Sequence, residues 1–421
     1  MPDQILRDGN RILIHGRLTE RAALRAIATL NDAITRGYTE LTLEFSACSR
    51  AWPEGMVPII CQVQALREEG NEFLLELPRD ETLRRLFLNT NWAHLVAPQQ
   101  FEAYDFRTRQ HLPATRYDAT SQKAIVDRIV EIVVGSMEIE RPVLAGLEWS
   151  VNEITDNVLV HAESPAGGLV QVMTQRDARR VSFVVGDAGI GVLASMREGY
   201  PALRDDVEAI GEAVKAGVTR DPKIGQGNGL AGTLRIVSMS QGSFSVLSGR
   251  GLLDVYPDRA TGSHGDHIST LPAQEYYTGT VVSAEFDSSA PLRLEDALGF
   301  QSPDWEPFDY IDARHTALDG RALIVTLRDE TAGFGSRIAG AQLRMKCLNL
   351  LRDDPPMPLV LDWEGVPLIS SSFADEAVGK LFVELGPIVF GERVHCVNVE
   401  PLVRLLIDKA IIQRVAQHAA E

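Results

Sequence analysis

The chain has 421 residues, 45 % of them apolar and 24 % charged, and its 58 acidic and 41 basic residues give a net charge of −17. These values are ordinary for a globular protein of several domains, and the negative charge disfavours sequence-independent binding to nucleic acid or to an anionic membrane. Because the sequence shows no apolar leader and no run of about 18 apolar residues, we expect a cytoplasmic protein without a membrane span.

Residues 10–100 alternate between strand and helix patterns, which predicts a sheet covered by helices. The first predicted helix begins at Thr19, which suits an N-cap, and ends before Gly37. Residues 105–119 are polar and aperiodic and are predicted to be a linker. We therefore assign residues 1–104 to a first α/β domain. The predicted strands are 11–16, 40–45 and 72–77, and the predicted helices are 19–36, 55–69 and 80–88.

Residues 120–161 carry helical periodicity that is interrupted before Pro142, a residue that suits the first turn of a new helix. Glu153 and Asn157 follow in that helix, four residues apart and therefore on one face. A carboxylate there can orient a water as general base, and an amide oxygen one turn away can coordinate Mg²⁺. The same spacing also occurs in ordinary solvated pairs, so the pattern by itself leaves both interpretations open.

A predicted strand, 181–185, leads into Asp187, Gly189 and Gly191. An aspartate at a strand end can accept a hydrogen bond from the adenine amino group, and glycines let the backbone approach a ring. A plain turn is the alternative interpretation. The segment 279–280 opens a later apolar strand.

Glycines also alternate at Gly225, Gly227 and Gly229, and Leu230 then begins a predicted helix that extends to Met239. Backbone N–H groups of a glycine loop at a helix N-terminus favour phosphate. The loop is not a Walker A motif because no Gly-Lys-Ser/Thr follows it.

In this order the four motifs resemble the N, G1, G2 and G3 boxes of the GHKL ATPases, a superfamily that includes DNA gyrase, MutL mismatch-repair proteins, Hsp90-type chaperones, histidine kinases and anti-sigma-factor serine kinases. The resemblance covers about residues 120–287 and implies an α/β sandwich of a mixed sheet and helices. It also implies that the cofactors are ATP and Mg²⁺. Glu153 would then be the general base and Asn157 the Mg²⁺ ligand.

The resemblance also assigns the remaining motif residues. Asp187 would bind adenine, with Gly189 and Gly191 shaping that wall and Thr280 beneath the ring. The residues that would close on the phosphates are Gly225, Gly227, Gly229 and Leu230. The stretch 192–224 would be a mobile lid, at whose end Lys223 and Arg220 are candidate phosphate contacts.

Two histidine patterns argue against other chemistry. None of the nine histidines stands in the context of a phospho-acceptor histidine, which disfavours a histidine kinase proper. The run 264–267, His-Gly-Asp-His, offers metal-ligand side chains, but its surroundings predict a long loop between two strands.

Residues 321–418 repeat the element order of the first domain after a second connection, 288–318. We assign residues 319–421 to this last domain. The predicted strands are 321–327, 358–362 and 393–398, and the predicted helices are 336–351, 372–385 and 401–415.

The run Ile-Ser-Ser-Ser-Phe-Ala-Asp-Glu at 369–376 follows the second of these strands. Residues 320–415 resemble a STAS-like domain on this run, and the first domain resembles one more weakly. STAS domains include anti-sigma-factor antagonists that are phosphorylated on a serine at this strand-to-helix junction, by kinases of the GHKL type. Ser371 or Ser372 lies about where that acceptor would be. The alternative is that Ser372 is the N-cap of the helix.

The sequence thus predicts a three-domain α/β protein in which two STAS-like domains flank an ATPase domain. We expect it to act as an ATP-driven conformational switch in bacterial signalling or regulation. An anti-sigma-type serine kinase and a non-enzymatic, nucleotide-dependent scaffold are the alternatives. The expected partners are ATP, a protein bound through the STAS-like domains, and a second copy in a homodimer.

Overall fold

Three sheets organise the chain in a computed structural model that describes residues 3–104, 111–215, 229–257, 264–298, 310–317, 320–330, 333–352 and 356–418. Helices and sheets alternate in all three parts, as the predicted α/β class requires. We call residues 3–104 the N-terminal module, 111–298 the central module and 310–418 the C-terminal module. Within the described ranges, no helix combines the length and the apolar character that a membrane span would need.

The N-terminal module is a mainly parallel sheet with helices packed on it. Strands β2, β3 and β5 lie side by side and parallel, β1 adds an antiparallel edge, and β4 pairs with the end of β2. Thr19 caps the first helix as expected, because its side chain accepts a hydrogen bond from the Ala22 amide. The elements are β1 Gln4–Asp8, β2 Arg11–Leu18, α1 Glu20–Thr35, β3 Glu40–Glu44, β4 Cys48–Ala51, α2 Pro53–Glu68, β5 Glu72–Glu76, α3 Glu81–Asn89 and α4 Trp92–Val96.

The central module is a seven-stranded sheet in the order β11-β10-β9-β12-β8-β7-β6. Every pairing in it is antiparallel, so the expectation of a mixed sheet is wrong. The elements are β6 Leu112–Tyr117, α5 Gln122–Ser136, α6 Arg141–His161, β7 Gly168–Gln175, β8 Arg180–Gly186, α7 Gly191–Arg197, α8 Asp206–Ala213, α9 Gly229–Met239, β9 Ser243–Gly249, β10 Gly251–Pro257, β11 His264–Thr270, β12 Tyr277–Asp287 and α10 Leu294–Leu298.

Three segments of the central module differ from the expectations. The predicted linker 105–119 contains β6, an edge strand of the sheet, and the connection 288–318 begins with residues that pack on α6 and α9. The run 264–267 lies in edge strand β11 rather than in a loop. Among the described residues, no group of three His, Cys, Asp or Glu side chains is placed to hold a metal ion.

The first part of the predicted lid is folded. Helices α7 and α8 pack on each other through Met196, Leu203 and Ala209, and α8 also contacts strands β9, β10 and β11. The rest of the predicted lid, from residue 216, lies outside the described residues, as do Arg220, Lys223, Gly225 and Gly227.

The C-terminal module has a three-stranded parallel sheet in the order β13-β14-β15. The strands β2, β3 and β5 pair in the corresponding order, so each flanking module contains three parallel strands that lie side by side in chain order. In the N-terminal module β4 comes between β3 and β5 in sequence but pairs with β2. The elements are α11 Tyr310–His315, β13 Leu323–Thr326, α12 Leu327–Glu330, α13 Arg337–Leu350, β14 Leu359–Asp362, α14 Ser371–Ala374, a π-helical turn Asp375–Gly379, α15 Lys380–Arg393, β15 Val394–Val397 and α16 Pro401–His418.

The serine run before α14 shows which residue caps the helix. Ser370 is the N-cap, since its hydroxyl accepts a hydrogen bond from the Phe373 amide at 3.0 Å. The prediction of Ser372 as N-cap is therefore wrong by two residues. Ser372 instead lies within hydrogen-bond distance of Ser370, and Ser371 is the exposed member of the run.

The two faces of the central sheet are buried in two separate cores. One core joins one face of the sheet to helices α5, α6 and α9, and continues into the C-terminal module. The other core joins the second face to the N-terminal module. Helix α2 lies against strands β7, β8 and β12 on that second face. The N-terminal module therefore covers a face that would otherwise expose apolar side chains to water.

Asn349 of α13 fastens the C-terminal module to the central module. Its amide nitrogen donates to the carbonyls of Val134 and Met137, at 2.7 and 2.9 Å, and its oxygen accepts from the Ile139 amide at 3.2 Å. The side chain is only 1 % exposed. Asn349 therefore satisfies backbone groups left open at the end of α5, where a helix lacks its own partners.

Replacing Asn349 by Ala should weaken this contact strongly. The substitution leaves two carbonyls and one N–H without a hydrogen-bond partner, and each buried group left unpaired costs about 1–3 kcal/mol. We expect the free energy of unfolding to fall by several kcal/mol. The measurement is the urea midpoint of unfolding, followed by circular dichroism, which should be lower in the variant. Gln413→Ala, at an exposed position, is the control. Equal midpoints for Asn349→Ala and the wild type would contradict this assignment.

Candidate functional site

Helix α6 brings Glu153 and Asn157 against the start of α9, as the sequence predicts for two residues of one face. A Cβ atom on Gly229 would lie 2.9 Å from Glu153 Oε2 and 3.2 Å from Asn157 Nδ2. The backbone at the N-terminus of α9 is therefore in direct contact with both polar side chains. Leu230 next to it packs against the central core.

Burial changes the acidity of Glu153. Its carboxylate is partly withdrawn from water, and this desolvation raises the pKa, with a further contribution from the nearby charge of Asp156. A general base works best when its pKa approaches the working pH. The environment of Glu153 shifts the group in that direction.

Asp187 lies at the end of β8 and is 1 % exposed. Its Oδ1 atom accepts hydrogen bonds from the amides of Gly189, at 2.8 Å, and Thr280, at 3.3 Å. The other oxygen, Oδ2, accepts no hydrogen bond from any residue that the structure describes. One carboxylate oxygen is thus used to hold the turn, and the second is left for a donor from outside.

Burial raises the pKa of Asp187 to about 7, and the two amides that donate to it only partly oppose the shift. The backbone around this carboxylate is fixed as well. The Asp187 amide donates to the Thr280 carbonyl at 3.0 Å, and the Tyr277 hydroxyl donates to the Asp187 carbonyl at 2.5 Å.

The turn after Asp187 approaches the end of α6 closely. A Cβ atom on Gly189 would lie 1.9 Å from the Ala162 carbonyl oxygen, and the same oxygen accepts a hydrogen bond from the Ile190 amide at 2.8 Å. Glycine is therefore required at position 189 by contact with backbone. This contact joins the helix that carries Glu153 to the turn that carries Asp187.

Gly191 and Gly279 make two further close backbone contacts near Asp187. Gly191 has φ of 75°, which favours glycine, and a Cβ there would lie 2.7 Å from the Thr278 carbonyl oxygen. A Cβ on Gly279 would lie 2.1 Å from the Asp187 carbonyl oxygen. The first turn of α7 and the start of β12 are consequently packed backbone to backbone.

Ser248, which was not predicted from the sequence, links these segments. Its hydroxyl accepts from the Val192 amide and donates to the Gly279 carbonyl, both at 2.9 Å, and lies 3.3 Å from the Thr280 hydroxyl. Tyr277 and Ala162 were missed too. No local motif marks these three residues, and only the pairing of β9 with β12 and the position of the α6 end bring them into the site.

Of the predicted site residues, Glu153, Asn157, Gly229 and Leu230 form one group, and Asp187, Gly189, Gly191 and Thr280 form a second. Residues 157 and 153 lie about 8 and 14 Å along α6 from Ala162, at about 1.5 Å per residue. The two groups thus lie against two positions along the same helix. Lys223, Gly225 and Gly227 lie outside the described residues.

Residues 339–404 match a family described as a STAS-like domain of unknown function (DUF4325). The match begins in α13 and ends in the first turn of α16. The C-terminal module contains a STAS-like domain. A comparison of the chain with curated proteins gives no match.

The raised pKa of Asp187 predicts a pH dependence of stability. The folded state holds the proton up to about pH 7, whereas the unfolded side chain has a pKa of 3.8. The stabilising contribution is therefore present below pH 3.8 and is lost as the pH rises towards 7.

Asp187→Asn should remove this dependence, since its amide oxygen can still accept from Gly189. Relative to this variant, the wild type should lose up to about 4 kcal/mol between pH 4 and pH 8, at about 1.4 kcal/mol per pKa unit. The measurement is the difference in urea midpoints across that range, with Asp177→Asn, in an exposed turn, as control. Parallel curves for wild type and Asp187→Asn would show that the carboxyl stays ionised.

Proposed function

We propose that the central module binds ATP with Mg²⁺ in the manner of the GHKL ATPases, and that the nucleotide drives a conformational switch in signalling or regulation. The observation that carries the proposal is the convergence of distant segments along α6. Gly229 contacts Glu153 and Asn157 at one end, while Gly189 contacts Ala162 at the other. Motif residues from separate parts of the chain are therefore neighbours along one helix, which supports the proposal.

The Asp187 end fits adenine. The unused Oδ2 atom would accept a hydrogen bond from the exocyclic amino group, in a setting where little water competes. Thr280 would lie beneath the ring, and the glycine turn at 189–191 would leave room for it. An ionised Asp187 gains a donor when adenine binds, so binding should relieve part of the burial cost that raises its pKa.

The Glu153 end fits the triphosphate. Asn157 would hold Mg²⁺ through its amide oxygen, and Glu153 would take a proton from the attacking water. When bound, the ion would neutralise charge on the phosphates. Amides at the start of α9, beginning at Gly229, would donate to phosphate oxygens. Gly225, Gly227 and Lys223 belong to the proposal on sequence grounds alone.

Contacts behind the site give the switch a route to the flanking modules. A Cβ on Gly186, the residue before Asp187, would lie 2.5 Å from Val57 Cγ1 and 3.3 Å from Cys61 Sγ, both in α2. The adenine end thus backs directly on the N-terminal module. Nucleotide shifts the arrangement only if it binds one state more tightly than the other. We extend the proposal to a STAS-like N-terminal module, because its parallel sheet has the strand order of the C-terminal one.

A serine kinase is the second candidate, because a STAS-like domain shares this chain with the proposed ATP site. Ser371 is the exposed serine at the strand-to-helix junction, whereas Ser370 is used as the cap. Ser371 would therefore be the acceptor. A nucleotide-dependent scaffold without turnover is the third candidate.

The direct test is ATP turnover with Mg²⁺, with the γ-phosphate followed in solution and on the protein. We expect free phosphate from the wild type and at least about a hundredfold less from Glu153→Ala, which lacks the base. Asn157→Ala should lose Mg²⁺-dependent turnover. Asp177→Ala, at an exposed turn, should behave as the wild type.

Each other outcome selects a different function. Label on the protein that disappears in Ser371→Ala would establish the kinase. Nucleotide binding without phosphate release or transfer would favour the third candidate, a nucleotide-dependent scaffold. Failure to bind ATP, with Asp187→Asn equal to the wild type, would reject the nucleotide site.

We further propose that the chain forms a homodimer through α16. This helix buries Val403, Ile407 and Ala410 and exposes apolar side chains on the opposite face. The exposed row is symmetric about the midpoint between Asp408 and Lys409, and an antiparallel contact with a second copy would bring these opposite charges to its centre. The exposed apolar residues are Leu402, Leu405, Ile412 and Val415.

Leu405→Asp should dissociate this dimer without unfolding the chain, because Leu405 is 63 % exposed in the single chain. Sedimentation velocity at micromolar concentration should show a dimer for the wild type and a monomer for the variant. Gln417→Asp, near the end of the same helix, is the control. A monomeric wild type would contradict the proposal.

A further inference from the structure

A large cavity lies between the N-terminal module and the β6–β7 edge of the central sheet, away from the site along α6. Its volume is about 1090 Å³. Residues of β4 and α3 form one side, and Pro113, Gln171 and Met173 of β6 and β7 form the other. Ile338 of the C-terminal module also borders it, so all three modules contribute to its lining.

Gln171 gives the cavity a buried hydrogen-bond donor. The residue is 1 % exposed, and its Oε1 atom accepts from the Trp92 indole N–H at 2.8 Å. An indole N–H can only donate, so this bond fixes which end of the amide faces Trp92. The Nε2 group has no acceptor among the described residues. A buried donor of this kind is normally paired, and the cavity is the space in which its acceptor can lie.

Arg50 adds a positive charge to the same cavity. It is exposed, and its guanidinium has no hydrogen-bond or ion-pair partner in the described part of the chain. Arg85 also lines the cavity, but it pairs with Glu81 at 3.0 Å. In a chain of net charge −17, an unpaired arginine that lines the same cavity as a buried donor favours a ligand that carries negative charge.

The rest of the lining contains both polar and apolar side chains. One of the polar ones is a carboxylate, Asp80, whose Oδ1 atom accepts from the Leu83 amide at 2.8 Å as the N-cap of α3. Leu83, Leu86 and Met173 supply aliphatic surface, and Trp52, which is 40 % exposed, adds an aromatic ring. Apolar surface beside polar groups that can orient a ligand is typical of small-molecule sites. Inorganic ions would leave this surface unused.

We propose that this cavity binds a small organic anion with an apolar body. Its acidic group interacts with Arg50 and takes the donor of Gln171, while its body lies on the aliphatic wall. Because the ligand touches both the N-terminal and the central module, it stabilises their contact. The site is independent of nucleotide and is an input through which a metabolite could act on the chain.

The test uses 8-anilinonaphthalene-1-sulfonate, an aromatic anion, with the full chain and no nucleotide. Its fluorescence should rise saturably on binding. N-phenyl-1-naphthylamine, which has the same rings without the sulfonate, should bind at least about tenfold more weakly, since a charge-assisted hydrogen bond is lost. Energy transfer from tryptophan to the bound anion should fall in Trp52→Phe.

Two variants locate the binding groups. Arg50→Gln should weaken binding of the sulfonate about tenfold or more. Gln171→Glu keeps an acceptor for Trp92 but replaces the free donor by a carboxylate, so it should weaken binding at least as much. Arg84→Gln, an exposed neighbour in α3 that does not line the cavity, should bind like the wild type.

Arg50 is exposed, so Arg50→Gln should melt at the wild-type temperature and report on binding alone. Wild-type affinity in both Arg50→Gln and Gln171→Glu would overturn the proposal. Absence of saturable binding to the wild type, or equal binding of the neutral and anionic probes, would overturn it as well.

Discussion

The central sheet has two apolar faces, and burying both of them is the constraint on which the rest of the structure depends. Strands β7, β8, β9 and β12 send alternate side chains into two different cores. Helices of the same module cover one face, but the other needs α2 from the far end of the sequence. The N-terminal module is thus part of the packing of the sheet, and the groups at the strand ends inherit their positions from both layers.

Asp187 shows how this packing acts on chemistry. The carboxylate is held by two amides on one oxygen, while Tyr277 and the residues behind Gly186 exclude water. Burial raises its pKa to about 7, so its charge depends on how well the sheet is covered. A change in the docking of α2 would reach the carboxylate through solvation alone. The proposed coupling between nucleotide and N-terminal module requires no other connection.

Much of the fold could be predicted where apolar periodicity was strong. Helix α1 begins directly after Thr19, and α6 has Pro142 in its first turn, both as expected, because cap and first-turn residues mark these helix starts locally. Strands β6 and β11 were missed, since an edge strand needs few apolar residues and β6 contains Pro113. Among three successive serines the sequence pointed to Ser372 as the N-cap of α14, and only the folded chain shows that Ser370 takes that role.

The residues of the candidate site also fall into those that could be predicted from the sequence and those that could not. Glycines 189, 191 and 279 belong to short glycine motifs that can be recognised in the sequence. In the folded chain, close backbone contacts exclude any side chain at these positions. Ser248 has no such mark, because its role comes from the pairing of β9 with β12. The cavity lined by Gln171 could not be foreseen, since it exists only where the N-terminal module meets the sheet.

Helix α2 has a further consequence for the order in which the protein is made. Nearly all of its side chains from Pro53 to Leu66 are buried, on every side of the helix. During synthesis the N-terminal module leaves the ribosome first, while strand β12, which completes the surface on which α2 lies, is still to be translated. In that interval the side of α2 that lies against the central sheet in the folded chain is uncovered. The packing of the N-terminal module is therefore completed only after the central sheet has been made, although that module comes first in the chain.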